Sequence, residues 1–171
     1  MAVNQGKRGM KLEEMLEMTN HTYRIKNIAL VEKIPTPWRV YFDKKGKGSR
    51  ATPQKKSSVD FGGTIKGGQS IYFEAKSTIN KTSFPLKNIE QHQIDYLLFV
   101  KSLGGIGFFI IEFSSIDRRF VAPVEFVNEY WMKQSIGGRK SIPLQDFMDN
   151  CFLIPTTYVP ADYLKVVNPK L

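Results

Sequence analysis

The most apolar run of the chain, Ile106-Gly-Phe-Phe-Ile-Ile-Glu-Phe113, limits what kind of molecule this is. It is too short to span a bilayer and is interrupted by Glu112, so it reads as a β-strand inside a packed domain. With 171 residues the chain is one domain long, enough to bury a real core. Upstream, Leu12, Met15, Leu16, Thr19 and Tyr23 recur at three- and four-residue spacing and predict a helix from Met10. Residues 1–9, polar and glycine-containing, read as a mobile basic arm. Ile28–Ile34 reads as a strand stopped by Pro35-Thr-Pro37, and Trp38–Phe42 as a further short strand. Ser58-Val-Asp-Phe-Gly62 and Ser70-Ile-Tyr-Phe-Glu-Ala-Lys76 flank a turn region rich in glycine (Gly62, Gly63, Gly67, Gly68).

Asn80–Phe84 reads as a loop, followed by a helix from about Asn88 to Leu103 striped by Ile89, Gln93, Tyr96, Leu97 and Val100. After Ile106–Phe113 come a strand at Arg119–Ala122 and a helix at Val124–Lys133. A basic loop, Gly137–Lys140, a short helix, Leu144–Met148, and a last strand, Phe152–Ile154, complete the pattern. No segment repeats. The order of helix, adjacent strands, helix, strands and helix predicts an α/β or α+β sheet with helices on its faces, in one domain over 1–171.

Charge narrows the function. Twenty-five Lys and Arg against 16 Asp and Glu give +9 at pH 7 and a sequence pI of about 9.6. Nucleic acid is the first candidate polyanion and an anionic membrane surface the second. The N-terminal residues lack the apolar stretch of a signal peptide. Cys151 has no second cysteine to pair with and sits beside Phe152-Leu-Ile154, so it reads as a small core residue of a soluble protein in a reducing cytoplasm. Residues 43–57 carry six Lys or Arg, one acid and no large apolar side chain. They read as a solvated loop or as a protruding arm that contacts phosphates.

The chemistry-bearing pattern lies between the two strands flanking the glycines. Residues two apart on a strand share a face. Ser58 and Asp60 are therefore expected on one face, with Val59 and Phe61 on the other. Glu74 and Lys76 likewise share a face, with Phe73 and Ala75 opposite. If the strands pair as a hairpin, Asp60, Glu74 and Lys76 converge. Two carboxylates suit a hard divalent cation such as Mg²⁺, and a lysine beside them offsets charge developing on a phosphate. The bland alternative makes Glu74 and Lys76 the solvent side of an amphipathic strand and Asp60 a turn residue.

Asp–spacer–Glu-x-Lys resembles the PD-(D/E)xK nuclease superfamily, of which restriction endonucleases are members. More specific stretches are Arg8-Gly-Met10 leading into Leu12-Glu-Glu14, Tyr72-Phe-Glu-Ala-Lys76, Lys81-Thr-Ser-Phe-Pro-Leu-Lys87, His92-Gln-Ile94 and Gly137-Gly-Arg-Lys-Ser-Ile142. In that order, over nearly the whole chain, they resemble the RecU family of Holliday-junction resolvases. The resemblance implies a restriction-endonuclease-like mixed β-sheet core flanked by helices, with a protruding basic arm. It implies Mg²⁺, with Mn²⁺ substituting, held by Ser58, Asp60, Glu74 and Gln93, and Lys76 as transition-state stabiliser. Gln93 fits such a role because a glutamine in an apolar stripe needs a polar partner.

Two departures stand out. Ser58-Val59 replaces the two threonines common in the family, which keeps the hydroxyl. The basic segment is also shorter than the family's stalk, which inserts into the open centre of a junction.

The same resemblance implies a symmetric homodimer on branched DNA, since paired cuts call for two active sites about a two-fold axis. It also brings a recombinase partner and a bacterial cytoplasm, with the gene carried by cell or phage. Expected phosphate contacts are Arg8, Lys44, Lys45, Lys47, Arg50, Lys55, Lys56, Lys81, Arg139 and Lys140. His21 and His92 are too few for a histidine-rich metal site. Glu13 and Glu14 read as a solvated helix face, outside the site. The competing readings are a PD-(D/E)xK endonuclease that cuts flaps or plain duplex, and a non-catalytic DNA-binding recombination accessory.

Overall fold

The structure, a computed structural model, describes residues 3–35, 38–43, 46–53 and 58–168. Helix α1 (Val3–Ile25) is followed by strands β1 (Ala29–Lys33), β2 (Trp38–Phe42), β3 (Gly48–Pro53), β4 (Phe61–Ile65), β5 (Ser70–Thr78) and β6 (Ser83–Pro85). Helix α2 (Gln91–Ser102) leads to β7 (Ile106–Phe113) and β8 (Arg118–Pro123). Then come α3 (Val124–Ser135), β9 (Ser141–Pro143), α4 (Leu144–Asn150), β10 (Phe152–Leu153) and α5 (Leu164–Val167).

Six strands form one mixed sheet in the order β1-β4-β5-β7-β8-β10. Only β5 and β7 run parallel, with Ile71 opposite Ile106 and Thr78 opposite Phe113; the other pairs are antiparallel. Parallel neighbours need a crossover, and α2 supplies it. Each face of the sheet carries its own core. Leu12, Leu16 and Tyr23 of α1 pack with Phe61, Ile71, Phe73, Phe108 and Ile110 on one face. Ile94 and Leu97 of α2 pack with Phe109, Ile111, Phe113, Phe120 and Phe147 on the other. Alternate residues of β7 thus enter opposite cores, which is why this strand reads as an unbroken apolar run. Among the described residues no helix is long and apolar enough to cross a membrane.

The elements depart from the sequence pattern in three informative places. Helix α1 begins at Val3, so residues 3–9, expected as a mobile arm, are helical. Gly6 and Gly9 weaken a helix, but extension from an established turn adds one bond per residue fixed and carries through them. Second, part of the expected 43–57 loop is strand β3, which pairs with β2 in a separate two-stranded sheet. Polarity predicted exposure there, and Asp43, Lys47 and Arg50 are indeed exposed. A strand, however, needs only a neighbouring backbone to bond to. Third, Gly62 and Gly63 lie in β4, and the turn is confined to residues 66–69.

Gly63 faces Val31 across the ladder, and a Cβ there would sit 1.9 Å from the Leu30 carbonyl oxygen. Gly67 and Gly68 instead supply the turn, with φ of 98° and 91°. Beyond β10, where the sequence pattern marked no element, Tyr163 is fully buried and Asp162 nearly so. Asp162 accepts hydrogen bonds from Tyr23 Oη at 2.7 Å and Thr157 Oγ1 at 2.5 Å, tying the C-terminal segment to α1. Gly63→Ala is expected to cost about 2–3 kcal/mol in urea unfolding, the range of an overpacked site, by forcing β1 away from β4.

Candidate active site

The chain crosses the sheet just before β4. Val59 enters the core on the α2 side, while Phe61 enters the core on the α1 side. Residues two apart on a regular strand share a face, so the backbone at Asp60 is not regular strand. This corrects the expectation that Val59 and Phe61 point the same way: Asp60 lies at the crossing, ahead of β4. In β5 the alternation holds, with Phe73 and Ala75 against the α1-side core and Glu74 and Lys76 opposite.

At the crossing the two acids interlock through the backbone. Asp60 N donates to Glu74 Oε2 at 3.1 Å, and Ala75 N donates to Asp60 Oδ2 at 3.0 Å. Lys76 Nζ lies 2.6 Å from Glu74 Oε1, and Gln93 Nε2 donates to the same oxygen at 2.5 Å. Glu74 is only 2 % exposed. The structure thus brings Asp60, Glu74, Lys76 and Gln93 together. Ser58 lies two residues before Asp60, half-buried and close enough to Tyr96, one turn along α2 from Gln93, to interact with its phenol.

The local electrostatics follow from burial. Desolvation, then the neighbouring Asp60 carboxylate, pushes Glu74 up to about 8, with Lys76 offsetting only part of this. Asp60 is also raised, chiefly by burial, although the Ala75 N–H and Lys76 pull it down. One buried and one half-buried acid beside one lysine leave the pocket short of positive charge. Carboxylates with an amide and a hydroxyl nearby form an oxygen-rich donor set that fits a hard divalent cation. Gln93 needs one adjustment. Its Nε2 faces Glu74, while its Oε1 accepts from Glu90 N at 2.9 Å in a capping box that starts α2. The carbonyl oxygen expected to face a metal is engaged at the helix start. The cap is what holds the side chain over Glu74.

Above the acids lies a cleft of about 360 Å³, lined by Asp60, Lys76 and Ser77, by Glu13 of α1, and by Lys87 and Asn88 of the turn before α2. Glu13 corrects the reading that left it on a solvated helix face. It directly follows the buried Leu12 and precedes Leu16 by three, so it borders the packed stripe. Lys33 reaches it for a related reason: it shares a face with the buried Ala29 and Val31. Its Nζ lies 2.5 Å from Glu13 Oε2 and 3.8 Å from Glu17 Oε1, and the Glu13 hydrogen bond holds its ammonium above the usual range. Strand and helix periodicity together mark both residues. Ser77 Oγ donates to Glu112 Oε2 at 2.7 Å, and Arg119 Nε to Glu112 Oε1 at 3.0 Å. That pair satisfies the one acid in the apolar run of β7.

The expected DNA contacts are scattered. Lys47 and Arg50 are exposed on the β2–β3 hairpin, Lys81 on the loop after β5, and Arg139 and Lys140 on the loop before β9. Arg8 lies on α1, with its side chain outside the description. Lys44, Lys45, Lys55 and Lys56 lie outside the described residues. His92 sits 3.5 Å from Glu90, and Cys151 is half-buried beside the α2-side core.

Comparison with known proteins converges on one family. The model of the family described as Recombination protein U, RecU, matches residues 7–169. A Holliday junction resolvase RecU from Geobacillus kaustophilus is 40% identical over 173 residues, covering 98% of this chain and 86% of that protein. One of the same name from Leuconostoc mesenteroides is 38% identical over 172 residues, covering 97% of this chain and 83% of the relative. A third, from Bacillus anthracis, is 38% identical over 167 residues, covering 94% and 83%.

The raised acids carry a pH signature. A carboxyl whose folded pKa lies above its unfolded value makes the folded state bind more protons, so stability falls as pH rises between the two values. For Glu74 that window runs from 4.5 to about 8. Without metal, the thermal midpoint is expected to fall from about pH 5 to about pH 9, and Glu74→Gln to flatten the fall and exceed wild type at the upper end. Coincident pH–stability profiles for the two proteins would contradict this account.

Proposed function

The chain belongs to the RecU family, and from that premise we propose that it resolves four-way DNA junctions. It does so as a structure-selective endonuclease in homologous recombination and repair, hydrolysing phosphodiester bonds with Mg²⁺. The observation that supports this reading is the interlocked pair of the half-buried Asp60 and the buried Glu74 with Lys76 against it, in a chain that matches the family over nearly its whole length. Mn²⁺ substitutes for Mg²⁺, and the enzyme works as a single-domain nuclease in the bacterial cytoplasm.

Asp60 and Glu74 hold the cation, with the Ser58 hydroxyl and the Gln93 carbonyl completing the oxygen set once the amide is turned end for end. The bound cation supplies Lewis acidity toward a phosphoryl oxygen and lowers the pKa of water. Burial keeps bulk water from screening these charges, so each acts at greater strength than on an open surface. Lys76 is held against Glu74 in the free protein. Its ammonium lies where negative charge grows on a phosphate as water adds and the P–O bond breaks.

Arg8, Lys44, Lys45, Lys47, Arg50, Lys55 and Lys56 contact phosphates from α1 and the hairpin region, and Lys81, Arg139 and Lys140 from the loops. Two copies related by a two-fold axis place two active sites on opposed strands of a junction. A recombinase is the further partner.

Cleavage of a mobile four-way junction, a linear duplex and a flap, each with Mg²⁺ or Mn²⁺, tests the reading. The junction is expected to be cut in two opposed strands and the others spared. Asp60→Ala and Lys76→Ala are each expected to slow cleavage by about 10²- to 10³-fold or more. Equal cutting of all three substrates sinks the junction selectivity. Unchanged rates in both variants sink the catalytic assignment.

A further inference from the structure

Lys87 lines the cleft beside Asn88, together with Glu13 and Asp60, and the chemistry above leaves it without a task. Its backbone is fixed on both sides. Before it, β6 pairs with β9, Leu86 is fully buried, and Leu86 N donates to the Lys140 carbonyl at 3.0 Å. After it, Ile89 is buried and its N–H returns to the Leu86 carbonyl at 2.9 Å. The side chain between these anchors is exposed. A position held so firmly, with its ammonium left in solvent, is suited to meeting a ligand.

The charges around the cleft say which ligand. Lys76 is occupied by Glu74, at 2.6 Å. Lys33, on the Glu13 side, is occupied by Glu13 at 2.5 Å. Among the described residues Lys87 enters no ion pair, so it is the cleft's uncommitted cation. A phosphodiester approaching from solvent meets Glu13 and Asp60, and like charges repel it. Lys87, exposed and lining the same cleft, is placed to offset that repulsion. It is also continuous with a basic surface, because the exposed Arg139 and Lys140 adjoin it through the Lys140–Leu86 backbone bond. Lys87 therefore belongs both to the cleft that holds the acids and to the segment bonded to this basic loop.

We propose that Lys87 grips a phosphate of the strand being cut, next to the scissile one, and so draws the backbone past the acidic rim into the cleft. This rests on the endonuclease reading and adds a substrate-binding residue to it. A contact present before and during the reaction strengthens ground state and transition state alike, so its loss appears in KM more than in kcat.

The test uses the full chain on a synthetic four-way junction, comparing wild type with Lys87→Gln and Lys87→Arg. Binding is measured separately in an Asp60→Ala background over a salt series. Lys87→Gln is expected to raise KM about tenfold, the size of one charge-assisted contact, with kcat changed by less than about threefold. It should also reduce the slope of log affinity against log salt by about one. Lys87→Arg, which keeps the charge, restores both. A Gln variant with wild-type KM and salt slope overturns the proposal. So does a loss shared equally by Gln and Arg variants together with a lowered thermal midpoint, which marks a structural role. If wild type cuts no junction, the endonuclease reading fails by itself, and the salt slopes still decide whether Lys87 touches the DNA backbone.

Discussion

A buried carboxyl, Glu74, and a half-buried one, Asp60, meet where the chain passes from one face of the sheet to the other, and the rest of the molecule supports that unfavourable contact. Asp60 accepts a backbone N–H from Ala75, and its own N–H is given to Glu74, so neither acid can move without disturbing the backbone of β5 or the start of β4. Val59 and Phe61 fix the crossing by anchoring in opposite cores. Gly63 lets β1 approach β4 closely enough to hold the next stretch of chain in register. The cost of keeping two acids side by side in low dielectric is met by packing distributed over both faces. Polar groups left short of charge in this way are common where a protein binds a cation, because stability given up in the empty site returns as binding free energy.

The second support is helical. The sheet delivers acids from β5 and the segment before β4, and α2 covers them with Gln93. That side chain both caps its helix and reaches Glu74, so the start of the helix and the environment of the acid are set together. Removing the Gln93 side chain takes away a cap and leaves a buried carboxylate oxygen with one donor fewer, two effects of similar size. Tyr96, one turn on, is near enough to Ser58 to interact with it. Much of the candidate site is therefore oriented by one face of α2.

How much of this was legible in the sequence depends on the range of the forces involved. The alternation of Phe73, Glu74, Ala75 and Lys76 is a local property of an extended chain, and it gives the faces correctly. β7 is equally plain, because burial on both sides leaves no polar residue except Glu112, whose partners Ser77 and Arg119 come from the two neighbouring strands. The crossing at Asp60 is not local. It follows from which core captures Val59, and nothing in Ser58-Val-Asp-Phe says that the two apolar residues part. Gly62 and Gly63 misled for a similar reason: a glycine serving close approach looks the same as one serving a turn. Glu13 was hidden because its neighbours Glu14 and Glu17 are exposed, and only its place between Leu12 and Leu16 sets it apart.

The net charge of +9 gains a layout from these details. Of the described acids, Asp60 and Glu13 line the cleft and Glu74 is buried against Asp60, while Lys76 and Lys33 beside them are already paired. The surplus basic residues lie outside, on the hairpin and on the loops flanking β6 and β9. An arrangement with cations inside would bind a polyanion tightly, but it would neutralise the pair of acids and weaken any hold on a divalent metal. One with acids at the rim and no cation there would repel the backbone before it arrived. Separating the two, with acid at the centre and base around it, lets one small domain hold a cation and a polyanion at the same place. Lys87 stands on the boundary between those regions, and a boundary cation must remain uncommitted for the two to communicate.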